Sequence, residues 1–394
     1  MDAFLWYLSW AVAIGIFGWV FRFVGQKVQW PSDKLNVYFR DMPLMVGIGF
    51  VFGLVILYVV FHYYFIDKST FFRWAVQGFV IFAITSWLFL ALGKHVGTQA
   101  TRKVFRQMPL TAAFGILIII IYAIMSIFAG VIAPYGQEEI FEKINVLPGG
   151  DPALGGDPRF PLGTDQLGRD LLSRLIYGGQ NTVGIAFVTT ILAFLIGTTF
   201  GFLAATLSGW FDQAVSRVVD ALMAIPQLIF ALLLLTIATA WAGSNKELIT
   251  VYMIVIIAVL DSTRVFRLAR AVGFNIVVMD YIEAAKLRGE NLSYLIFREI
   301  LPNAYAPLLA EFGLRFCFVF LTIAALSFLG IGIQPPLADW GTMVRDLAQF
   351  INFAQFSPHT AALPLMAAGA IALLTVAVNF VVDWMLHKSS GLKD

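Results

Sequence analysis

Long apolar runs alternate with short polar segments along the chain, and each run is close to the ~20 residues that an α-helix needs to cross a bilayer. From this pattern we predict nine membrane-spanning helices, at residues 4–24, 43–66, 74–93, 110–133, 182–206, 219–241, 248–262, 305–332 and 361–386. Asp261 ends the short seventh run and Asp220 lies at the start of the sixth. We therefore expect an all-α integral membrane protein in which water reaches both carboxylates at span ends.

The basic residues set the predicted orientation. Lysine and arginine cluster in residues 25–42, 94–106 and 263–304 and in the tail after residue 386. Cytoplasmic loops of membrane proteins carry an excess of these residues. Nine helices place all four segments in the cytoplasm only if the N-terminus is outside and the C-terminus is inside. The first apolar run has no basic leader and is long enough to span, so we interpret it as structure rather than as a cleaved signal.

Composition supports this class and excludes others. Of 394 residues, 60% are hydrophobic and 13% are charged, whereas soluble domains carry about 25% charged residues. The net charge of +2 predicts no nucleic-acid surface. Cys317 is the single cysteine, which excludes a cysteine metal cluster. The sequence contains no phosphate-binding loop, zinc-binding His-Glu-x-x-His helix or nucleophile elbow, so we predict no catalytic residue, metal site or cofactor on this chain.

One outer segment, residues 134–181, is too long for a simple turn. Its first half is rich in glycine, proline and aspartate and predicts irregular loop. In its second half four leucines fall at helical spacing (Leu167, Leu171, Leu172 and Leu175). We expect an amphipathic helix that lies flat at the outer face, capped by Thr164 or Asp165.

A second outer segment covers residues 333–360. Pro335 and Pro336 break any helix there, and Trp340 suits the membrane interface. Two interpretations of the outer segments stay open. They either anchor the protein at the interface or form a platform for an external protein that delivers substrate.

A charged, helix-forming stretch, residues 280–302, lies between long apolar runs. The pattern predicts a helix over 280–288, a left-handed turn at Gly289 and a second short helix over 292–300, with Pro302 just beyond. Three residues of the second helix lie along one face: Leu295, Ile296 and Ile300. We expect a rigid knob on which Ala284 and Ala285 form a small flat surface. The alternative interpretation of this segment is an ordinary amphipathic helix that lies on the inner leaflet.

The spacing of residues 283–285 (Glu-Ala-Ala), Gly289 and residues 301–302 (Leu-Pro) resembles the "EAA" loop by which the permease of a binding-protein-dependent ABC importer grips its ATPase. Further stretches resemble the dipeptide/oligopeptide/nickel class of these permeases, and the similarity covers about residues 110–390. These stretches are residues 161–170, 220–226 and 326–336, the last followed by Trp340-Gly341. The residues at positions 299 and 323, a glutamate and an isoleucine, differ from those usual in the class. A polar role that class members have at the position of Ile323 is therefore not expected here.

The resemblance implies a six-helix permease core over residues 110–390, preceded by about three extra transmembrane helices in residues 1–109. We have no functional account of the extra region; a lipid-facing collar or subunit contact is expected, with regulation or contact with an accessory partner as the other possibilities. The implied partners are a second homologous permease, two cytoplasmic ABC ATPases that carry ATP and Mg, an extracytoplasmic solute-binding protein and the lipid bilayer. The implied location is a bacterial plasma (inner) membrane.

The resemblance and the residue pattern together give candidate sites. Contact with the ATPase is expected at Glu283, Ala284, Ala285, Arg288, Gly289, Leu301 and Pro302. An apolar translocation pathway, with kinks at its proline and glycine, is expected at Met223, Pro226, Phe230, Phe328 and Gly330. Docking of the binding protein is expected at Asp165, Arg169, Asp170 and Trp340.

Two further predictions concern the inside of the membrane. Glu311 and Arg315 lie four residues apart and should form a self-contained ion pair rather than part of the pathway. Gly197 and Gly201 should allow close helix packing.

The main alternative function is an ion-coupled secondary transporter that acts without ATPase partners. Such proteins often show inverted repeats and paired broken helices at the midplane, and the sequence shows no convincing repeat and few buried charges. A membrane-embedded enzyme or a structural subunit is a second alternative. The sequence leaves the solute open among dipeptides, longer peptides, nickel chelates, opines and other small solutes.

Overall fold

The computed structural model describes residues 70–96, 98–355 and 358–389, together with isolated positions before residue 70. The chain divides into two compact units, Met1–Trp74 and Ala75–Asp394, and the account below concerns the second. The predicted spans at 4–24 and 43–66 lie outside the described residues. Of the three extra helices, only the third is therefore described.

The described residues form helices and no strand, with only isolated bridges from Asp157 to Phe160 and from Thr164 to Asp170. The helices are α1 (Thr70–His95), α2 (Gln99–Gln107), α3 (Leu110–Ile127), α4 (Leu171–Gly178), α5 (Gly184–Leu207), α6 (Gly209–Met223), α7 (Gln227–Ala242), α8 (Lys246–Val277), α9 (Asp280–Leu287), α10 (Leu301–Phe328), α11 (Trp340–Leu347) and α12 (Pro358–Ser389). Shorter helical segments lie at Ala129–Ile132, Pro152–Leu154, Gly179–Val183, Leu292–Tyr294, Leu295–Ile300 and Ala348–Phe353.

Six helical segments of the described chain are long and apolar enough to cross a membrane, and α6 with α7 forms a seventh if that bent pair is one span. The six are Val76–His95, Leu110–Ile127, Leu171–Leu207, Lys246–Val277, Leu292–Phe328 and Thr360–Lys388. Each predicted span from residue 74 onward has a counterpart here, which confirms the all-α membrane architecture. The short prediction at 248–262 was wrong in length, because α8 runs on to Val277 past its charged residues.

The predicted continuous helix over 219–241 is broken. α6 ends at Met223, α7 begins at Gln227, and their axes differ by 89°. Pro226 stands immediately before α7 with extended backbone. A proline has no N–H to donate and disfavours a helical residue before it. The expected kink is therefore a full break with a change of direction.

The most extensive contact between two helices of the described residues joins α5 to α8. A Cβ atom on Gly197 would lie 2.7 Å from the carbonyl oxygen of Ser262, and one on Gly201 would lie 2.7 Å from the Cβ of Ala269. Only a glycine permits these approaches, so the prediction of close packing is confirmed. Because α8 is fixed in this way along much of its length, it forms a rigid element beside α7 and α10.

The main hydrophobic core surrounds α10. Phe316, Phe320 and Ile323 of this helix pack with residues of α3, α8, α11 and α12. Ile323 is fully buried in this apolar setting, which agrees with giving it no polar role.

Candidate coupling surface and translocation pathway

The coupling tip, residues 280–291, follows directly on α8. Gly289 has a φ of +79° and ends α9 in the predicted left-handed turn. The Gly289 N–H donates to the carbonyl of Lys286 at 3.0 Å, and the Glu290 N–H donates to the carbonyl of Ala285 at 3.2 Å. These bonds satisfy the last carbonyls of α9. The turn is therefore ordered by its own backbone.

The second half of the predicted knob differs from expectation. The Asn291 side chain accepts from the Tyr294 N–H at 2.8 Å and starts a helix, but this helix does not stop before Pro302. It passes through a π turn, Leu295–Ile300, and continues as α10. A proline inside a regular α-helix clashes with the carbonyl four residues earlier, and the wider π turn removes that conflict. The segment is one continuous helix rather than two short ones.

The predicted coupling residues divide into exposed and buried groups. Glu283, Ala284, Arg288, Gly289 and Pro302 are exposed, and Leu301 is partly buried. Ala285 is completely buried, so the flat surface expected from it does not form. It lies in a small core whose isoleucines and leucines include Ile282, Leu295, Ile296 and Ile300.

Sequence reasoning missed Leu287 at the end of α9. This leucine is 84% exposed, among the highest values for a large hydrophobic residue in the described chain. It follows Ile282 and Ala285, the buried residues of α9, at a spacing that places it off their face. That spacing was visible in the sequence and would have identified it. Leu287 and Arg288 are adjacent and both exposed at the tip.

The predicted pathway residues lie at two levels. Met223 and Pro226 line a cavity of about 100 Å³ at the break between α6 and α7. Phe328 lies at the far end of α10, with Gly330 two residues beyond it, and Phe230 is half-buried against the main core. Gly330 has a φ of +88° and follows the helix instead of kinking it. The structure therefore does not bring the five together in one gate, and their role in transport stays a prediction.

The cavity at the helix break is also more polar than expected. Three further side chains that line it are polar: Gln227, Thr263 and Arg264. The surroundings of Met223 and Pro226 are therefore partly polar, and the apolar gate stays a prediction.

Glu311 and Arg315 form the predicted ion pair, with 2.7 Å between Arg315 Nε and Glu311 Oε1. The pair is not self-contained, because Arg315 Nη1 lies 3.9 Å from Asp261 Oδ1 on α8. The other oxygen of Asp261 accepts a hydrogen bond from Gln227 Nε2 at 2.6 Å. Asp261 is fully buried in the middle of α8, so the expectation that water reaches it at a span end was wrong. We call these four residues the charge network.

Arg264 lies beside the charge network and is exposed on α8. Its guanidinium carbon is 5.9 Å from the ring centre of Phe318, and that of Arg315 is 4.5 Å from the same ring. An arginine exposed to lipid at the centre of a span costs about 2.5–3.5 kcal/mol or more. This face of α8 and α10 therefore suits water or a protein partner better than lipid.

The two segments predicted to lie outside meet at the end of the second unit opposite the coupling tip, in a region we call the cap (residues 133–181 and 329–355). Gln166 Nε2 donates to the carbonyl of Asp346 at 2.8 Å, and Thr182 Oγ1 donates to Asp339 Oδ1 at 2.8 Å. The carboxylate of Asp339 also accepts from the Thr342 N–H at 2.8 Å, and burial raises the pKa of this group. These contacts tie the ends of α5 and α10 together.

The predicted flat helix of the cap takes another form. Asp170, rather than Thr164 or Asp165, caps α4 by accepting from the Ser173 N–H at 2.8 Å. α4 then continues through the π turn Gly179–Val183 into α5. It is the first part of a span and not a separate helix at the interface.

The residues predicted to dock the binding protein hold the cap together. Asp165 Oδ2 pairs with Arg169 Nε at 2.7 Å, and both Asp165 and Asp170 are buried. Trp340 is completely buried, where its Nε1–H donates to the carbonyl of Leu175 at 2.8 Å and its ring packs edge-on against Tyr122. Its side chain is therefore not exposed to lipid. Docking on the outer surface of the cap stays a prediction, but these buried side chains do not present that surface.

Comparison with known proteins bears directly on this arrangement. Residues 197–389 match the protein family described as the binding-protein-dependent transport system inner membrane component. The matched range extends from α5 to α12 and includes the coupling tip and the charge network.

Individual relatives extend the match toward the N-terminus. The dipeptide transport system permease protein DppC of Haemophilus influenzae is 34% identical over 285 residues, which is 72% of this chain and 88% of that protein. The glutathione transport system permease protein GsiD of Pectobacterium atrosepticum is 31% identical over 293 residues, with 74% and 88% covered. The peptide transport system permease protein SapC of Escherichia coli is 34% identical over 263 residues, with 66% and 83% covered.

Proposed function

Because this chain belongs to the family of inner membrane components of binding-protein-dependent transport systems, the permeases of ABC importers, we propose that it forms half of a translocation pathway for peptides or a related small solute. The solute class follows from the relatives, whose names specify dipeptides, glutathione and peptides. The chain is a multi-pass permease of the inner membrane, and ATP hydrolysis is assigned to separate partner chains.

The main support for this proposal is that the coupling tip is directly connected to two membrane spans. α8 leads directly into α9, and the helix that follows Gly289 runs unbroken from Leu292 to Phe328. A push on α9 is therefore applied to two long helices rather than to a loose loop. Closure of the ATPases on ATP would displace Leu287, Arg288 and their neighbours, and the displacement would rock α8 and α10 against the second permease.

The remaining parts of the proposal concern the partners. Two ATPases with ATP and Mg act at the coupling tip, a homologous permease completes the pathway, and a solute-binding protein docks on the cap. This places the coupling tip and the C-terminus in the cytoplasm and the N-terminus outside. The face with Arg264 and Phe318 is then turned toward the pathway or the second permease, because lipid is a poor environment for Arg264.

The alternative of a lone secondary transporter draws on two observations, the ionisable side chains inside the spans and the helix break between α6 and α7, a feature that such transporters use. In this structure Asp261 and Glu311 both face Arg315 instead of an open ion site. Purification separates the two functions. The chain, tagged at its C-terminus and extracted gently from its native membrane, should bring down a second multi-spanning permease and ABC ATPases. Recovery of the chain alone, still able to transport without ATP after reconstitution, would overturn the proposal.

Substitution of Gly289 tests the coupling itself. Gly289→Pro forces a negative φ where the turn needs +79° and removes the N–H that bonds Lys286. We expect ATP-driven uptake by the reconstituted importer to fall about tenfold or more, equivalent to a disturbance of about 1.4 kcal/mol, while membrane insertion is kept.

Gly243 provides a matched control for this substitution. It has a φ of +58°, open space around its Cβ position and a backbone N–H bonded to Thr239, but it ends α7 far from the coupling tip. Gly243→Pro should retain most of the uptake. Normal uptake by the Gly289 variant would refute the assignment of the tip.

A further inference from the structure

The charge network joins three helices through side-chain contacts. Gln227 is the first residue of α7, Asp261 lies in the middle of α8, and Glu311 and Arg315 lie on α10. Asp261 is the shared member, because its two oxygens face Gln227 at 2.6 Å and Arg315 at 3.9 Å. It is completely buried, and the Arg315 side chain is 8% exposed. The network is therefore an internal joint and not a surface cluster.

The joint is connected to the coupling tip through rigid helices. Asp261 precedes the end of α8 by about 24 Å along the axis, and Arg315 follows Leu292, where the helix after the tip begins, by about 34 Å. α8 and the helix that continues as α10 thus both extend from the tip to the network, as two levers of different length. Gln227 does not lie on either lever. It follows Pro226 directly, at the point where the chain changes direction by 89°.

The bonding within the network is incomplete. Asp261 Oδ1 and Arg315 Nη1 are buried without a hydrogen-bond partner among the described residues. A buried polar group without a partner lowers stability, and a well-packed apolar replacement of such pairs is often neutral or stabilising. Stability alone therefore does not account for this network. A separation of 3.9 Å also leaves the contact able to shorten or lengthen when α8 and α10 shift.

We propose that Gln227, Asp261 and Arg315 are positioning residues that transmit the movement of α8 and α10 to the helix break before α7. This inference rests on the proposed function, since it needs an ATP-driven displacement of the coupling tip. When α8 and α10 move together, Asp261 carries Gln227 with them and changes the angle between α6 and α7. Met223 and Pro226, which line the cavity at that break, then move with the levers. Without the Gln227–Asp261 bond the levers move and the break does not follow.

The test uses the complete importer in proteoliposomes, with its binding protein, and measures solute moved per ATP hydrolysed. Gln227→Met keeps the size of the side chain and removes only its bond to Asp261. We expect ATP hydrolysis to continue and the ratio of transport to hydrolysis to fall about tenfold. Gln213→Met, at an exposed position of α6, is the matched control and should leave the ratio unchanged.

Asp261→Asn is a second variant, with Asp383→Asn on the exposed side of α12 as its control. If the complex with Asp261→Asn does not assemble, Gln227→Met still tests the inference, because this substitution removes one neutral hydrogen-bond donor and no charge. Subunit stoichiometry and thermal stability of each purified complex are measured in parallel. If the network had only a structural role, the substitutions would change these two properties and leave the ratio of transport to ATP hydrolysis unchanged. An unchanged ratio in Gln227→Met overturns the inference. Absence of ATP-driven uptake by the unmodified complex would instead overturn the proposed function.

Discussion

Glycines on α5 determine how closely this helix approaches α8. Gly197 sits where a Cβ would lie 2.6 Å from the Cβ of Val265, and the residues on both sides of the contact are parts of long helices that cannot move aside independently. Gly197→Ala should therefore lower the free energy of unfolding by about 1–3 kcal/mol, the usual effect of overpacking. Thermal unfolding of the purified protein in detergent measures the change.

Gly369 on α12 provides the comparison for Gly197. Nothing lies within 4 Å of its Cβ position, so Gly369→Ala should stabilise the helix by about 0.5–1 kcal/mol. Equal effects of the two substitutions would mean that α5 and α8 do not pack as closely as described.

Local residue properties were predictable from the sequence where they depend on neighbours along the chain. The left-handed turn at Gly289 and the close packing at Gly197 are of this kind. Burial of Asp261 was not predictable in the same way, because the groups that surround it, Gln227 and Arg315, are 34 and 54 residues away in sequence. A carboxylate at the edge of an apolar run has the same local pattern whether water or a distant arginine faces it.

At the scale of elements, the carboxylate of Asp157 joins two basic side chains of the cap. The Arg159 side chain, with Lys143, donates to Asp157 and holds the pKa of that carboxyl well below its usual range. A depressed folded-state pKa means that this group contributes stability above the pKa of the unfolded chain, about 3.9. The contribution is lost as the pH falls through the lower folded value.

We therefore expect residues 143–160 to lose protection from amide hydrogen exchange when the pH falls below about 4, after correction for the intrinsic exchange rate. Asp157→Asn should lower that protection already at neutral pH and remove its dependence on acid. Asp151→Asn is the control in the same loop, because asparagine caps the following turn as well as aspartate does. If both variants behave like the original protein, Asp157 does not organise this part of the cap.

The helical elements themselves show where sequence patterns are insufficient. The period of α9 and its terminating glycine were sufficient to predict that helix. The proline at 302 and the one at 226 gave the same local signal, yet the chain breaks at Pro226 and runs on through Pro302. The difference lies in the residues ahead of each. Leu295, Ile296 and Ile300 are held in a core by Ile282 and Ala285 and form a π turn, whereas Ala224 and Ile225 are exposed.

For the whole molecule, orientation is the property that most needs measurement, and the chain is suited to it. Cys317 is buried and is the single cysteine of the sequence, so an introduced cysteine gives the main signal. Leu287→Cys places a thiol at a position that is 84% exposed on the coupling tip, and Leu154→Cys places one at a position that is 42% exposed in the cap.

A membrane-impermeant maleimide should modify Leu154→Cys in intact cells freed of their outer membrane, and Leu287→Cys only in inverted vesicles. Removal of the ATPases from those vesicles should increase labelling at residue 287, because the partners would cover the tip. The opposite labelling pattern would show that the topology is the reverse of the one proposed and that the coupling tip lies outside the cytoplasm.

The π turn ahead of Pro302 has a consequence for chain length. Such a turn contains one residue more than an α-helical turn. Loss of one residue between 295 and 300, together with replacement of Pro302, would leave every later side chain of α10 at the same angle around the helix axis. Loss of one residue beyond the turn would rotate them by about 100° and turn Arg315 away from Asp261. Insertions and deletions in this helix are therefore expected to be confined to a single turn, and an alignment that places a gap elsewhere would pair the wrong residues over the rest of the span.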